Sequence, residues 1–533
     1  MPSSRRRFLG QATSAALALG ADSWLARMAA AQAPRTARVI LDPARRVAAL
    51  DRRVLGSFLE HLGRAIYGGI YEPGSKLADA DGFRKDVLDE VRKLGVPTVR
   101  YPGGNFVSGY DWLHGVGPKE GRPRVLERAW DSIETNQFGT NEFIAWCRAV
   151  GTEPLLAVNL GTGTPETAAA LLEYCNVEKG TRWSDLRRQH GVEAPHRVRR
   201  WCLGNEMDGP WQIGHMPAAE YGRKAADAAR QMRAVDRELE LVACGSSGPG
   251  MPTYLEWDRQ VLEECYGEVD GISLHRYFGL GEEAVAGDSA RYLALNLQMD
   301  RQIEEVAAVC EYVRARKKSR KRLWLSFDEW NVWYRARDGR GGKKEAPRLL
   351  EEVYDLQDAL LVGGALNTLM RHADKVRIGC LAQLVNVIAP IVTSAEGLLR
   401  QTIYHPYAWA LQHARDYVLD VVPESETYEA PGAGRVPYLD VAATADPEAG
   451  TASLFVLNRD LEKPRELEVV WRELAPTRVV ASQTLTGTDL KATNTFEAPS
   501  RVAPQPLVPP RLGPRMTLLL PPRSYSVVSL AAR

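Results

Sequence analysis

Eight short apolar or β-branched runs alternate along the chain with longer stretches whose apolar residues recur about every 3.6 positions. The runs are Val54–His61, Val96–Asn105, Glu153–Gly161, Val198–Glu206, Glu240–Ser247, Asp270–Tyr277, Leu323–Trp330 and Val376–Leu384. Stretches such as Phe83–Gly95, Thr140–Gly151 and Ala218–Val235 have the helical spacing. Eight strands that alternate with helices favour a (β/α)8 barrel, the TIM barrel of the α/β class. We therefore predict this barrel over residues 53–404.

Polar side chains stand at the ends of nearly all of these runs. They are Glu60, Asn105, Asn159, Asn205, Glu206, His275, Tyr277, Glu329 and Gln383. In a (β/α)8 barrel the chemistry sits at the C-terminal ends of the strands, so we expect these side chains to meet at one mouth. A single glutamate at a strand end is more often a capping or solvated residue. A set drawn from so many strands instead indicates a site.

Charge and aromatic content indicate the kind of ligand. The 533 residues carry 68 Lys+Arg against 67 Asp+Glu, so no basic field favours nucleic acid or an anionic membrane as a partner. Tryptophans follow the glutamates, and their flat apolar faces suit sugar rings: Trp112, Trp130, Trp211 and Trp333. Paired carboxylates, a neutral ligand and aromatic walls together point to glycoside hydrolysis.

Four segments carry a family resemblance. They are GGNFVSGYDW (103–112), WCLGNEMDGPWQIGH (201–215), SFDEWNVWY (326–334) and LAQLVNVIAPI (381–391). Together they resemble the motifs of glycoside hydrolase family 51, the α-L-arabinofuranosidases, over roughly residues 40–520. The resemblance implies an exo-acting enzyme that releases terminal α-L-arabinofuranosyl residues from arabinose-containing polysaccharides and oligosaccharides with retention of configuration. It also implies a homo-oligomer, since many members are hexamers.

The same resemblance assigns roles to residues. Glu206 in GNE is implied as the general acid/base and Glu329 in FDEW as the nucleophile. The residues implied to hold the arabinofuranose or line its pocket are Glu60, Asn105, Asn205, Tyr277, Gln383 and Trp333. We expect Arg100 to orient the carboxylate of Glu329 or to form a structural ion pair. We expect His275 to contact a residue that binds the substrate, or else to be a packed core histidine.

One position departs from the family pattern. The sixth strand commonly carries glutamine between its histidine and tyrosine, whereas this chain reads His275-Arg276-Tyr277. Side chains alternate along a strand, so we expect Arg276 to point away from its neighbours and to leave the pocket itself untouched, while an effect on the mouth or on subunit contacts stays open.

The segments outside the barrel read differently. After about residue 405, runs that alternate apolar and polar residues between Pro/Gly-rich breaks predict a C-terminal all-β sandwich, jelly-roll-like, over 405–533. Residues 34–52 contain a strand that we expect to join this sandwich.

Residues 1–33 resemble a twin-arginine export signal, with the pair Arg5 and Arg6, an apolar segment and a small-residue cleavage site at Ala31–Ala33. This predicts a periplasmic or secreted protein.

Competing functions have weaker support. GSSGPG (245–250) lacks the spacing of a serine-hydrolase elbow, and GTGTPE (161–166) lacks the third glycine of a dinucleotide loop. The sequence contains no CxxC pair and no HExxH helix of the kind that binds metals, so we expect neither a metal nor a cofactor. The seven cysteines are interpreted as buried thiols. The alternatives that stay open are another retaining glycosidase, such as a β-xylosidase or endo-glucanase, and a non-catalytic sugar-binding protein.

Overall fold

The computed structural model describes residues 36–279, 287–336, 339–473 and 475–532. Its strands, in chain order, are β1 (Ala37–Leu41), β2 (Arg46–Ala49), β3 (Gly56–Phe58), β4 (Thr98–Tyr101), β5 (Val125–Glu127), β6 (Ser132–Glu134), β7 (Glu153–Ala157), β8 (Arg200–Leu203), β9 (Glu240–Ala243), β10 (Gly271–Phe278), β11 (Trp324–Val332), β12 (Val376–Ala382), β13 (Ile391–Thr393), β14 (Leu398–Arg400), β15 (Tyr417–Leu419), β16 (Thr427–Ala430), β17 (Gly434–Pro437), β18 (Leu439–Asp446), β19 (Thr451–Asn458), β20 (Arg465–Trp471), β21 (Arg478–Thr486), β22 (Gln505–Pro506), β23 (Arg515–Leu520) and β24 (Ser524–Ala531).

The α-helices are α1 (Lys85–Leu94), α2 (Thr140–Val150), α3 (Pro165–Asn176), α4 (Arg182–Gln189), α5 (Ala218–Val235), α6 (Glu256–Cys265), α7 (Ser289–Tyr292), α8 (Asn296–Arg316), α9 (Leu356–Arg371) and α10 (Tyr404–His413). Short 3-10 helices cover Arg52–Leu55, Asn105–Gly109, Trp112–Gly115 and Lys119–Gly121.

One strand from each of the eight predicted runs enters a closed barrel. The order is β3-β4-β7-β8-β9-β10-β11-β12, and each neighbouring pair is parallel. The predicted (β/α)8 barrel is thus confirmed. Several strands are shorter than their runs, because the polar residues that follow them leave the ladder to line the mouth. Glu60, Asn105 and Glu206 all lie just beyond a strand end.

Helix α1 shows how the sequence shapes a βα unit. Its apolar residues Val87, Leu88, Val91 and Leu94 are buried on one face. The helix ends at Gly95, whose φ of 69° is left-handed and whose N–H donates to the Val91 carbonyl. Glycine adopts this conformation without a Cβ clash, so the chain turns directly toward β4.

An all-β domain follows the barrel, as predicted. A three-stranded sheet (β1-β20-β23) and a seven-stranded sheet (β2-β15-β18-β19-β24-β21-β22) share one apolar core. The N-terminal strands β1 and β2 pair with β20 and β15, respectively. In β19, Leu454 and Val456 face this core while Phe455 and Leu457 pack into the core of the barrel. The larger sheet is therefore buried on both faces.

A buried polar cluster joins the two domains. Asp440 on β18 accepts hydrogen bonds from Asn296 and Asn367 and pairs with Arg371 of α9 at 2.6 Å and with Arg459 at 2.8 Å. Burial alone would raise the pKa of Asp440, but the two arginines hold it well below its usual range. The carboxylate is therefore ionised and fully paired within the interface.

Two further findings concern the chain as a whole. The cysteines are free and buried, which confirms that they are thiols of the core. Among the described residues, no helix combines the length and the apolar character that crossing a bilayer requires.

Candidate active site

A cleft of about 1110 Å³ opens at the C-terminal ends of the barrel strands. The predicted residues that line it are Glu60, Asn105, Glu206, Tyr277, Glu329, Trp333 and Gln383. Asn205 lies buried beside Glu206, and Trp130 and Trp211 also reach the cleft. Two residues do not join it. Asn159 instead accepts hydrogen bonds from the backbone of its own loop, and Trp112 lines a separate cavity of about 280 Å³.

Glu206 is held at the turn that follows β8. Its φ of 42° is left-handed, a conformation that costs a non-glycine residue about 1 kcal/mol or more and that often marks a functional position. One carboxylate oxygen accepts from Nδ1 of His275 at 2.9 Å, and the other accepts from the indole N–H of Trp211 at 2.8 Å. Both oxygens are thus fixed by donors.

Glu329 is held equally firmly on β11. The hydroxyl of Tyr277 donates to one oxygen at 2.7 Å, and Nη1 of Arg100 donates to the other at 2.9 Å. The second amino group of Arg100 donates to Oδ1 of Asn205 at 2.6 Å. Arg100 therefore forms an ion pair with Glu329, a contact that fits both roles expected for it.

The two glutamates lie close together. Carboxylate oxygens of Glu206 and Glu329 and a ring nitrogen of His275 all lie within 4.8 Å of one another. Retaining glycosidases place their carboxyl groups about 5 to 5.5 Å apart, and inverting ones about 6.5 to 9.5 Å apart. This close approach of the carboxylate oxygens suits the shorter spacing, at which one carboxylate attacks directly.

His275 links the two glutamates to a third carboxylate. Its Nε2 faces Oδ1 of Asp328 at 3.0 Å, and its Nδ1 lies 3.7 Å from Glu329 as well as 2.9 Å from Glu206. Burial would lower the pKa of His275, but the charge of Glu329 and hydrogen bonds to Asp328 and Glu206 raise it to about 10. The imidazolium therefore donates from both nitrogens, which suits a hydrogen-bond donor and not a metal ligand.

Burial also affects the acidity of Glu206. Removal from water raises the pKa of Glu206, and the nearby charge of Glu329 raises it too, whereas the hydrogen bonds from His275 and Trp211 lower it. A raised pKa suits a carboxyl that is to donate a proton as a general acid.

A β-bulge explains how Asp328 and Glu329 both reach the site. Consecutive side chains on a regular strand face opposite sides. Ser273 of β10 pairs with Ser326 of β11, and His275 pairs with Glu329. Between these two pairs β11 contains one residue more than β10 does. The same extra residue appears against β12. The bulge turns Asp328 inward to His275, to Ser326 at 3.1 Å and to within 4.0 Å of Arg100.

Glu60 occupies the inner end of the cleft. Its Oε1 accepts from the Phe106 N–H at 2.9 Å and from the Trp130 indole at 3.0 Å, while its own N–H donates to Gln383. Burial raises its pKa to about 8. Gly104 allows this packing, because a Cβ there would lie 2.5 Å from Oε2 of Glu60. A protonated Glu60 can donate to a neutral sugar hydroxyl.

Sequence reasoning missed two contributors. Asp328 was not singled out, and Trp211 was expected to offer only its flat face. Arg276 lines the cleft, an effect on the mouth that the sequence left open. Its side chain does point away from His275, toward Gln298 and Gln302 of α8, but the cleft extends over this region and Arg276 lines it.

We expect the charge of His275 to appear in the pH dependence of stability. A group whose pKa is higher in the folded than in the unfolded protein stabilises the fold when it is protonated. For His275 this stabilisation is complete below the unfolded pKa, near 6.5, and is lost as the pH rises through the folded pKa of about 10. The difference in unfolding free energy between wild type and His275→Gln, measured by urea denaturation, should therefore shrink over this interval. A constant difference would mean that His275 is not charged in the native state.

Comparison with known proteins agrees with this geometry. Residues 90–277 match the model of the α-L-arabinofuranosidase 1 domain, and residues 328–524 match the α-L-arabinofuranosidase C-terminal domain. An intracellular exo-α-(1→5)-L-arabinofuranosidase 1 of Bacillus subtilis is 48% identical over 86% of this chain and 92% of its own length. An intracellular exo-α-(1→5)-L-arabinofuranosidase of Streptomyces lividans is 49% identical over 93% of this chain and 76% of its own length.

A solved structure extends the likeness to three dimensions. The family 51 α-L-arabinofuranosidase of Bifidobacterium longum superposes with a TM-score of 0.89 at 42% identity, covering 94% of this chain and 100% of that one.

The relatives correct one prediction. Residues 1–33, where the twin-arginine signal was expected, lie outside the described residues. Similar enzymes, among them those of B. subtilis and S. lividans, are named intracellular. The prediction of a periplasmic or secreted protein exported by a twin-arginine signal is therefore wrong. Paired arginines before a short apolar segment are a weak pattern, and here they do not report export.

The identity and coverage of these relatives, the two matched domain models and the placement of the paired glutamates lead to one conclusion. The chain belongs to glycoside hydrolase family 51, the family of α-L-arabinofuranosidases.

Proposed function

We propose that the protein is a retaining, exo-acting α-L-arabinofuranosidase that releases terminal non-reducing α-L-arabinofuranosyl residues from arabinose-containing polysaccharides and oligosaccharides. The observation that carries the proposal is the close approach of the Glu206 and Glu329 carboxylates, each fixed by two donors. In this proposal Glu329 is the nucleophile and Glu206 the acid/base.

The first step forms an arabinosyl-enzyme. An oxygen of Glu329 attacks the anomeric carbon while Glu206 gives its proton to the departing oxygen. Arg100 and Tyr277 hold Glu329 for in-line attack, since each binds one of its oxygens. In the second step Glu206, now ionised, takes a proton from water, and the water oxygen displaces Glu329 from the same carbon.

His275 stabilises the charge through both steps. Negative charge passes from Glu329 to Glu206 as the ester forms, and it returns as the ester is cleaved. Nδ1 of His275 lies 2.9 Å from Glu206 and 3.7 Å from Glu329, so one imidazolium faces both positions of the charge. A preorganised cation of this kind stabilises the transition state without a solvent rearrangement.

Product stereochemistry tests the proposal. Proton NMR of an early reaction mixture containing methanol should show methyl α-L-arabinofuranoside as the transfer product, because two displacements restore the configuration. Digestion of a reducing-end-labelled arabino-oligosaccharide should release free arabinose and shorten the labelled chain one residue at a time. A β-configured product would contradict retention, and early release of internal fragments would contradict exo action.

A paired substrate assay addresses the other retaining glycosidases on this barrel. We expect turnover of an aryl α-L-arabinofuranoside to exceed that of the matching β-xyloside, because the family resemblance implies that Glu60, Asn105 and Gln383 bind the hydroxyls of an arabinofuranose. Equal or greater turnover of the xyloside would favour a β-xylosidase. Inactivity on both, with tight sugar binding, would favour a non-catalytic protein.

Asn205→Ala should lower kcat more than it raises KM. Oδ1 of Asn205 is bound by Arg100, whereas Nδ2 is buried with no hydrogen-bond partner among the described residues and is free to donate to the sugar 2-hydroxyl. That bond strengthens as positive charge develops at the anomeric carbon, so its loss should reduce kcat by roughly 10²-fold. Steady-state kinetics on an aryl arabinofuranoside measure both constants. A change confined to KM would limit Asn205 to ground-state binding.

The assembled state is a further proposal. We infer a homo-oligomer, a hexamer in the form common to the family, supported by the resemblance. Light scattering coupled to gel filtration measures the mass in solution, and a monomer at micromolar concentration would contradict it.

A further inference from the structure

Asp328 lies among the buried charges behind the catalytic pair and is only 1% exposed. Its Oδ1 accepts from Nε2 of His275 at 3.0 Å, and its Oδ2 lies 4.0 Å from Nε of Arg100. The same Oδ2 accepts from the hydroxyl of Ser326 at 3.1 Å and from the thiol of Cys202 at 3.4 Å. One carboxylate therefore reaches two cations from two different strands of the barrel.

Those two cations are the ones that hold the catalytic glutamates. His275 places Nδ1 at 2.9 Å from Glu206 and 3.7 Å from Glu329. Arg100 donates to the other side of the pair, to Glu329 at 2.9 Å. An effect of Asp328 on either glutamate is therefore transmitted by His275 and Arg100.

The charges of these five side chains balance only when Asp328 is ionised. In the proposed mechanism Glu206 enters protonated and Glu329 ionised, so Glu329 and Asp328 together offset the two cations. When the ester forms, Glu329 loses its charge and Glu206 gains one. The buried site therefore stays neutral in both steps, and no step leaves a charge unpaired, which would be costly away from water.

The surroundings of Asp328 favour its ionised form. Burial would raise its pKa, but the charge of Arg100 and the hydrogen bond from His275 hold the pKa below its ordinary value. Burial raises the pKa of the Cys202 thiol well above its usual range, so this neighbour remains a neutral donor. The negative charge of the cluster thus stays on the carboxylate.

We propose that Asp328 is a positioning residue for the reaction and acts through His275 and Arg100. It keeps His275 charged, with both ring nitrogens donating, and it supplies the constant negative charge of the site while the second negative charge moves between the two glutamates. This inference rests on the proposed function. Without the charge of Asp328, His275 would lose the extra proton and with it the positive charge that faces both glutamates.

A titration of His275 tests this role without any substrate. In protein labelled with 15N-histidine, the His275 signals are those that disappear in His275→Gln. We expect wild-type His275 to stay an imidazolium up to about pH 10. Asp328→Asn keeps the shape of the side chain and removes its charge, so His275 should lose its proton at a lower pH in this variant. A wild-type His275 that titrates near the ordinary 6.5, or an unchanged titration in Asp328→Asn, would overturn the inference.

Kinetics show whether the charge matters for the reaction. Asp328→Asn should lower kcat on an aryl α-L-arabinofuranoside by about 10²-fold with KM changed by less than about threefold, since the charge acts mainly in the transition state. In the His275→Gln background the same substitution should lower kcat by less than about tenfold, because the main route of its effect is already lost. Equal effects in both backgrounds, or an effect confined to KM, would contradict a role through His275.

Glu90→Gln is the matched control for lost stability. Glu90 is another buried carboxylate that pairs with an arginine, Arg400 at 2.7 Å, and it lies outside the residues that line the cleft. This variant should lower the melting temperature but keep the wild-type kcat. A loss of kcat as large as that of Asp328→Asn would assign both losses to weakened folding and would overturn the inference.

The two proposals fail separately. Turnover of the aryl substrate by wild type reports the arabinofuranosidase activity and does not depend on the variants. Wild-type turnover together with an unchanged titration of His275 in Asp328→Asn would overturn the role of Asp328 alone. No turnover by wild type would overturn the proposed function itself.

Discussion

Glu329→Ala should abolish turnover of every arabinofuranoside, whatever its leaving group. The variant has no oxygen to attack the anomeric carbon, so the covalent route is deleted and not merely slowed. Loss of a catalytic nucleophile lowers kcat on the order of 10⁶-fold in other hydrolases, and we expect a loss of similar order here. Single-turnover assays with an activated aryl arabinofuranoside should show no burst of phenolate.

Two controls separate loss of chemistry from loss of fold. Glu448→Ala makes the same substitution at an exposed position of the β-domain and should keep wild-type kinetics. Glu329→Gln retains the shape and the hydrogen bond from Tyr277 while removing the charge that pairs with Arg100. It should be as inactive as the alanine variant but should bind substrate. Residual activity above about 1% of wild type in both variants would remove Glu329 from the role of nucleophile.

Glu206→Ala should have an effect that depends on the leaving group. A nitrophenolate departs with little protonation, whereas a sugar alkoxide does not. The variant should therefore still form the arabinosyl-enzyme from a nitrophenyl substrate but lose roughly 10²- to 10⁴-fold on natural linkages, the usual contribution of a general acid. Hydrolysis of the intermediate also needs Glu206 as a base, so the intermediate should accumulate and be visible by mass spectrometry of the intact protein.

Azide distinguishes the two glutamates. It attacks the arabinosyl-enzyme without giving up a proton, so it should restore turnover of Glu206→Ala and give the arabinosyl azide with retained configuration. In Glu329→Ala, azide can only attack from the vacated face and should give the inverted azide. If Glu329→Ala gave the retained product and Glu206→Ala were inert on every substrate, the two roles would be exchanged.

Much of the barrel and its mouth could be predicted from local pattern. Eight strand-like runs that alternate with helices specify a parallel barrel. The C-terminal ends of its strands share one face, so Glu206 and Glu329 at those ends are expected to meet. The individual roles of Glu60, Gln383 and Asn205 came from motif resemblance, since spacing alone does not say which atom faces a sugar. The structure adds the hydrogen bonds that hold each of these side chains.

The features that escaped prediction depend on contacts between distant segments. Asp328 would point away from the site on a regular strand, and the bulge that turns it inward arises from pairing with β10 and β12. Arg276 obeys strand alternation, and its side chain is held at the cleft by Gln298 and Gln302 of α8. The indole N–H of Trp211 reaches Glu206 because of the turn after β8. None of these contacts between distant segments produces a periodic pattern of residues in the sequence.

The buried charge of Asp440 has a consequence for engineering this enzyme. Arg371 belongs to the barrel and Arg459 to the β-domain, and both neutralise the same carboxylate. Cutting the chain between the domains would break the pair of Arg371 with Asp440 and expose the apolar face of the larger sheet, with Phe455 and Leu457, that packs on the barrel. A truncated barrel is therefore a poor starting point for a minimal catalyst, and the smallest autonomous unit is the barrel together with its β-domain.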